Sequence, residues 1–180
     1  MAPVAPMDRQ AVHDGYERAR QEFHRLLDAA SEQDLARPTC GTRWDNRELL
    51  WHMLFGYLVV RSLLGLVRVS GRLPRGVSRV FARLLEGVTV PFDLVNYAGP
   101  RGAVKVFSLH RMGVTFDRVT DSLHRRLAAE PESDLGRGMH FPVRWDPFFA
   151  DFMTLADVYR YPTQHFEFHR RQLTLSGPRQ

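Results

Sequence analysis

The sequence predicts an all-α fold: an antiparallel four-helix bundle with a long insertion between the second and third helices. Three observations carry this. Four segments return an apolar residue every three or four positions. No segment alternates with a period of two for long enough to suggest a large sheet. Two of the four helical segments open with a capping-box pattern. At 180 residues, 44% hydrophobic and 25% charged, the chain suits one globular domain, expected over residues 8–175 with residues 71–103 as an insertion or crossover within it.

The first helix is expected over about Asp8 to Ala30, where Val12, Tyr16, Ala19, Phe23, Leu26 and Ala30 share one face. "SEQDLARPTCGTRW" then breaks the pattern, with Pro38 and Gly41 marking a loop. The second helix starts at "WDNRELL": Asp45 caps free N–H groups, Glu48 completes the box, and Trp44 stands where a hydrophobic staple belongs. Its inward stripe is Leu49, His52, Met53, Gly56, Val60, Leu63 and Val67. A histidine thus lies on the apolar face, with Gly56 leaving space one turn on.

Between Ser70 and Gly102 the pattern is irregular. "RGVSRVFARLLEG" reads as a short amphipathic helix and "YAGPRG" as a turn. Bundle connections rarely exceed about eight residues, so a segment this long is either a lid over a pocket or a crossover between distant helix ends. The third helix is expected over about Val104 to Ala129, its stripe running Leu109, Met112, Phe116, Val119, Leu123 and Leu127. His110 and His124 fall off that stripe and are expected at the surface. A second loop, "EPESDLGRGMHFPVRWDPFF", carries three prolines and His140, a ligand only if the loop folds inward. The fourth helix opens at "TLAD", a second box between Thr154 and Asp157. Its stripe is Leu155, Val158, Pro162, His165, Phe166, His169 and Leu173, with a kink or restart expected at Pro162.

Composition excludes several classes. The net charge of +5 suggests polyanion binding, but the basic residues are dispersed, Lys105 is the only lysine, and the densest cluster has only Phe81 as a stacking platform, which argues against nucleic acid. Cys40 is the sole cysteine, so no internal disulfide forms, and no histidine adjoins it in sequence to make it a nucleophile. "MAPVAPMDRQ" is unlike a signal peptide, and the apolar run from Leu49 to Val67 contains His52 and Arg61; a cytoplasmic protein with no membrane partner is expected. The apolar insertion offers a surface for a homodimer.

The candidate site comes from the inward histidines. In "TQHFEFHRRQL" (Thr163–Leu173), His165 and His169 stand four apart on an apolar face. With eight histidines in the chain, chance alone supplies about 0.35 such pairs, so the pair carries weight only together with His52. An inward imidazole is most often hydrogen-bonded to a carbonyl or water, and one without a partner costs about 1–3 kcal/mol. One divalent ion would satisfy all three. Side chains at i and i+4 reach a common point, imidazole suits Zn, Ni, Fe or Cu, and three protein ligands leave a coordination position open for chemistry. Glu48 and Glu167 are the carboxylates nearest in sequence, but the first caps and the second points away. Tyr161, one turn before His165, is a candidate substrate-binding residue at the pocket mouth, or else a half-buried bundle aromatic.

Trp44, the capping Asp45, "RELLWHM" and the terminal "HxxxHRRQL" resemble the DinB/YfiT-like superfamily over about Asp8 to Leu175. The resemblance implies a four-helix bundle holding one divalent transition metal (Zn, Ni or Fe) through His52, His165 and His169. It also implies relatives that are transferases or isomerases dependent on a low-molecular-weight thiol such as mycothiol, bacillithiol or glutathione, acting on a small-molecule electrophile. The thiolate is the nucleophile in such chemistry, and a metal lowers the thiol pKa; a hydrolase using metal-activated water is the related option. The alternative class is a non-catalytic bundle that binds a small molecule or partner, its histidine cluster structural. The insertion departs from the shorter crossovers expected of the family.

Overall fold

Capping sets where the helices begin. In the computed structural model, which describes residues 7–87 and 89–175, Asp45 accepts from the Glu48 N–H while Glu48 returns a bond to the Asp45 N–H. Thr154 and Asp157 do the same for the last helix. These boxes open α3 (Asn46–Ser70) and α8 (Leu155–Arg170). With α1 (Arg9–Ala29) and α6 (Leu109–Ala129) they form the core bundle. The chain is all-α in architecture, with further helices inserted between the core ones: α2 (Glu32–Leu35), α4 (Arg75–Gly87), α5 (Thr89–Ala103) and α7 (Glu132–Leu135).

The side-chain pairings give the helix directions. Along α1 and α6, His13 meets His124 and His24 meets Asp117, so these two run antiparallel. Along α3 and α8, His52 meets His169 and Arg68 meets Tyr159, again antiparallel. The other two seams are parallel: Tyr57 packs on Phe116 and Arg126 bonds the Arg61 carbonyl across α3 and α6, while Tyr16 bonds the Tyr159 carbonyl and Phe23 meets Phe166 across α1 and α8. A parallel α3/α6 pair obliges the chain to travel back along the bundle before α6 can begin. Residues 71–103 span that distance through α5, which packs on α3, and α4, which packs on α5 and on the short strand β1 (Gly138–His140).

Phe23, Tyr57, Phe116 and Phe166, all fully buried, contribute to the core from one helix each; the Phe23 and Phe116 rings stack at 4.4 Å. Stacked or edge-on aromatic pairs add about 0.5–1.5 kcal/mol to the burial of their area. Glu130 is buried but paired: it accepts from Arg68 and from the Tyr159 hydroxyl, which tie α3 and α8 to the end of α6. Asn46 bonds the Asp34 carbonyl and both the N–H and hydroxyl of Thr174, fixing the end of the described chain to the start of α3. Among the described residues α3 alone is long and apolar enough to cross a membrane, yet 56% of its apolar window is buried against protein.

Several expectations are corrected. "YAGPRG" is not a turn: α5 runs through it with Pro100 inside. Tertiary contacts override the turn-like composition, because the Tyr97 carbonyl accepts from Trp44 Nε1 at 3.1 Å and the Arg101 guanidinium lies over the Tyr97 ring. The third helix begins at Leu109 rather than Val104, where Ser108 caps it. α8 neither stops nor restarts at Pro162, which is buried within an unbroken helix packed on α3. "SEQD" is not loop but the short capped helix α2. The loop after α6 holds α7 and a small antiparallel sheet, β1 (Gly138–His140) paired with β2 (Phe152–Thr154) with Met139 opposite Met153. His124 is half-buried against α1, its ring Nδ1 2.5 Å from that of His13, whereas His110 is exposed as expected. The N-terminal "MAPVAP" lies outside the described residues.

Candidate metal centre

Because α3 and α8 are antiparallel, the first turns of α3 lie beside the last turns of α8. His52 sits on the second turn after the Asp45 cap, and His165 and His169 sit on the last two turns of α8. Their rings converge at centroid distances of 5.0 Å (His52–His165), 4.8 Å (His52–His169) and 4.5 Å (His165–His169). One ligand nitrogen from each lies within 4.8 Å of the others, and all three residues are buried. A modest inward shift would bring three nitrogens to about 2.0–2.1 Å from a shared ion.

Each ring is held by something different. The Trp44 indole, centred 4.5 Å from the His52 ring, covers that imidazole from the α3 N-terminus. Gly56 makes room for His165: a Cβ there would stand 2.6 Å from His165 Nδ1, which leaves Nε2 as the nitrogen facing outward. His169 donates from Nδ1 to Gln172 Oε1 at 2.7 Å, so its Nε2 carries the free lone pair. Burial holds all three imidazoles below the usual histidine pKa, His52 at about 3 and His165 well below normal, with the neighbouring histidines adding repulsion at these two. They are therefore neutral near pH 7, the form in which imidazole ligates a metal. Nδ1 of both His52 and His165 is buried without a hydrogen-bond partner, and such groups are retained at a cost. The donor set fits a divalent transition metal, with Zn, Ni and Fe all compatible with imidazole.

A cavity of about 130 Å³ adjoins the histidines. His52 and His165 line one side, and apolar residues including Phe55, Met139, Trp145 and Phe149 line most of the rest. The insertion contributes Leu85 from α4 and Asn96 from α5 to this wall, so the crossover also encloses the pocket. Asp146 is the one carboxylate in the lining among the described residues. Its Oδ2 accepts from the Tyr161 hydroxyl at 2.7 Å and lies 4.0 Å from His165 Nε2, while Oδ1 accepts from the Phe148 N–H. Burial raises the Asp146 pKa above the usual carboxylate value, against the pull of those two donors. Tyr161 is pushed upward by burial and by Asp146, so it stays a hydroxyl donor.

Residues 16–173 match the DinB superfamily as a family. The chain belongs to the DinB superfamily. No curated protein and no solved structure matches it. Membership over most of the chain accounts for the bundle, and the DinB fold here carries a three-histidine cluster able to coordinate a metal.

The structure brings together His52, His165 and His169 and places Tyr161 in the cavity wall. It does not bring Glu48 to them, since that side chain caps α3 and faces Arg101, nor Glu167, which pairs with Arg170. His140 is buried in β1 with its Nδ1 3.1 Å from Asp151, apart from the triad. Cys40 is exposed. Two site residues escape a sequence reading. Gln172 left a usable signal, being three residues after His169 on the same helical end. Asp146 left none, because the loop and β-hairpin that carry it inward have no periodicity.

Proposed function

We propose that this DinB-superfamily chain is a divalent-metal-dependent enzyme, a transferase that joins a low-molecular-weight thiol to a small apolar electrophile. The observation that carries the reading is the convergence of three buried, neutral imidazoles at the wall of an apolar cavity where a carboxylate, Asp146, is aimed at the same edge. When bound, the metal supplies a Lewis acid that lowers the pKa of a thiol or water at its open position.

The chain's own residues do the rest. His52, His165 and His169 would hold the ion, with Gln172 setting the His169 tautomer. Asp146, braced by Tyr161 and by the Phe148 N–H, is positioned to accept a hydrogen bond from the S–H or O–H of a group at the open position. Phe55, Phe149 and Trp145 exclude water and favour an apolar electrophile over a charged one. A thiolate suits such a wall better than hydroxide, being the softer and less hydrated nucleophile, and this favours thiol transfer over hydrolysis.

Metal content by mass spectrometry, on untagged wild type and on His52→Ala, His165→Ala and His169→Ala, tests the foundation. About one ion per chain is expected, with each variant falling at least about tenfold in affinity as one of three ligands is lost. A folded, metal-supplemented wild type without metal overturns the reading. Thiols are then screened against apolar electrophiles with the loaded protein, where Asp146→Asn should lower kcat by about 10²-fold or more while metal content is retained.

A further inference from the structure

Helix α4 is mounted the wrong way round for a helix that only packs on its own protein. Its inward side is narrow, made by Ser78 (4% exposed), Ala82 (5%) and the half-buried Leu85 at the cavity wall. The apolar stripe faces outward: Val77 is 51% exposed, Val80 58%, Phe81 39% and Leu84 66%. These four positions are i, i+3, i+4 and i+7, one side of an α-helix. Leu73, just before the helix, is also exposed, as are Leu66 and Val69 near the end of α3. A contiguous exposed apolar surface of this kind marks an interaction site.

The charge beside it indicates the occupant. Arg79 and Arg83, four apart on α4, share an adjoining exposed stripe, and Arg72 is exposed in the turn that precedes the helix. No carboxylate among the described residues is paired with any of them. From Ser70 to Gly87 the sequence holds four arginines and a single acid, Glu86. We infer that α4 is a membrane-surface helix, which docks this chain on anionic lipid by burying Val77, Val80, Phe81 and Leu84 at the acyl boundary and setting Arg79 and Arg83 against the headgroups. A helix with an apolar stripe and an arginine-rich polar face lies in the plane of such an interface, and anionic lipid attracts each arginine near the surface. A second copy of the chain on the same face would set arginine against arginine with only Glu86 to offset them; an anionic bilayer satisfies both stripes. The inference replaces the sequence-based expectation of no membrane partner. It is independent of the metal centre.

The test is vesicle flotation of the full chain with phosphatidylcholine alone and with phosphatidylcholine containing phosphatidylglycerol. Wild type should float with the anionic vesicles and about tenfold less with the neutral ones. The double variants Val80→Asp/Leu84→Asp and Arg79→Glu/Arg83→Glu should each lose about tenfold or more in binding. All four positions are exposed, so the variants keep the wild-type thermal unfolding midpoint, which circular dichroism checks. A Phe81→Trp variant should shift its emission to the blue on anionic vesicles as the indole leaves water. Failure of folded wild type to float, or flotation unchanged in Val80→Asp/Leu84→Asp, overturns the inference. A dimer in light scattering that Val80→Asp/Leu84→Asp abolishes, without flotation of wild type, also overturns it and assigns the face to a second copy.

Discussion

Gly56 shows how strongly one residue constrains the centre. The backbone of α3 comes so close to the His165 imidazole that a methyl group would stand 2.6 Å from Nδ1 and 2.9 Å from Cε1. The ring cannot yield freely, because it is fully buried and flanked by the rings of His52, His169 and Tyr161. Gly56→Ala should therefore displace His165 from its partners, destabilise the fold by about 1–3 kcal/mol as overpacking does, and weaken metal binding by at least about tenfold. Urea unfolding and a metal-competition titration read the two effects separately; an unchanged metal affinity would remove His165 from the ligand set. Gln172 acts on orientation alone. Gln172→Leu leaves all three imidazoles in place but frees the His169 tautomer, and should cost about 10–100-fold in metal affinity with little change in unfolding. At this scale the sequence was informative where a residue broke its helical stripe. His52, His165 and His169 are polar intrusions on apolar faces, and Gly56 is a gap one turn beyond the first of them.

At the scale of elements, the two capping boxes fix the phase of α3 and α8, and phase decides that the histidines meet. Both boxes are written locally, as a side chain and its partner three residues on, and so were readable. The hairpin was not. Strands of three residues carry no measurable period, and their pairing across Met139 and Met153 is a contact between residues far apart in sequence. α5 was hidden for a different reason: Gly99, Pro100 and Gly102 favour a turn locally, and only the Tyr97 contacts with Trp44 and Arg101 favour helix. The hairpin matters to function because its connection carries Trp145, Asp146 and Phe149 to the cavity. Gly138 permits its close pairing, since a Cβ there would stand 2.4 Å from the Met153 carbonyl oxygen. Gly138→Val should break the pairing, release Asp146, and lower turnover with apolar electrophiles by about tenfold or more while about one metal per chain remains bound. Loss of metal in that variant would mean that the hairpin supports the histidines as well as the cavity.

Across the whole molecule the bundle stores neutral histidines, and this makes stability depend on pH in a defined direction. His52, His165 and His169 all have folded-state pKa values below the ordinary 6.5, His52 at about 3. In the unfolded chain each takes a proton near pH 6.5, whereas the folded chain resists it. The unfolded state therefore binds more protons below that pH, and stability, complete above 6.5, declines as pH falls towards 3. The shifted carboxylates enter lower down or with the opposite sign. Glu22 and Glu130, held below 4.5 chiefly by their arginine partners against the cost of burial, lose their contribution only below that value. Asp146, raised by burial, offsets part of the loss as it protonates. Between pH 4.5 and 6.5 the triad therefore sets the slope together with His13, lowered by burial and by His124, while Asp146 opposes them. The metal-free protein should unfold at progressively lower urea concentration from about pH 7.5 to about pH 5, and His165→Leu should flatten the profile because one proton-binding difference is gone. Saturating zinc should raise the midpoint near neutrality by mass action and much less at about pH 5, where protons compete for the same lone pairs. A metal-free profile with no slope across this interval would mean that the three imidazoles are hydrated or partnered in solution, and would remove the electrostatic basis for a histidine-held ion.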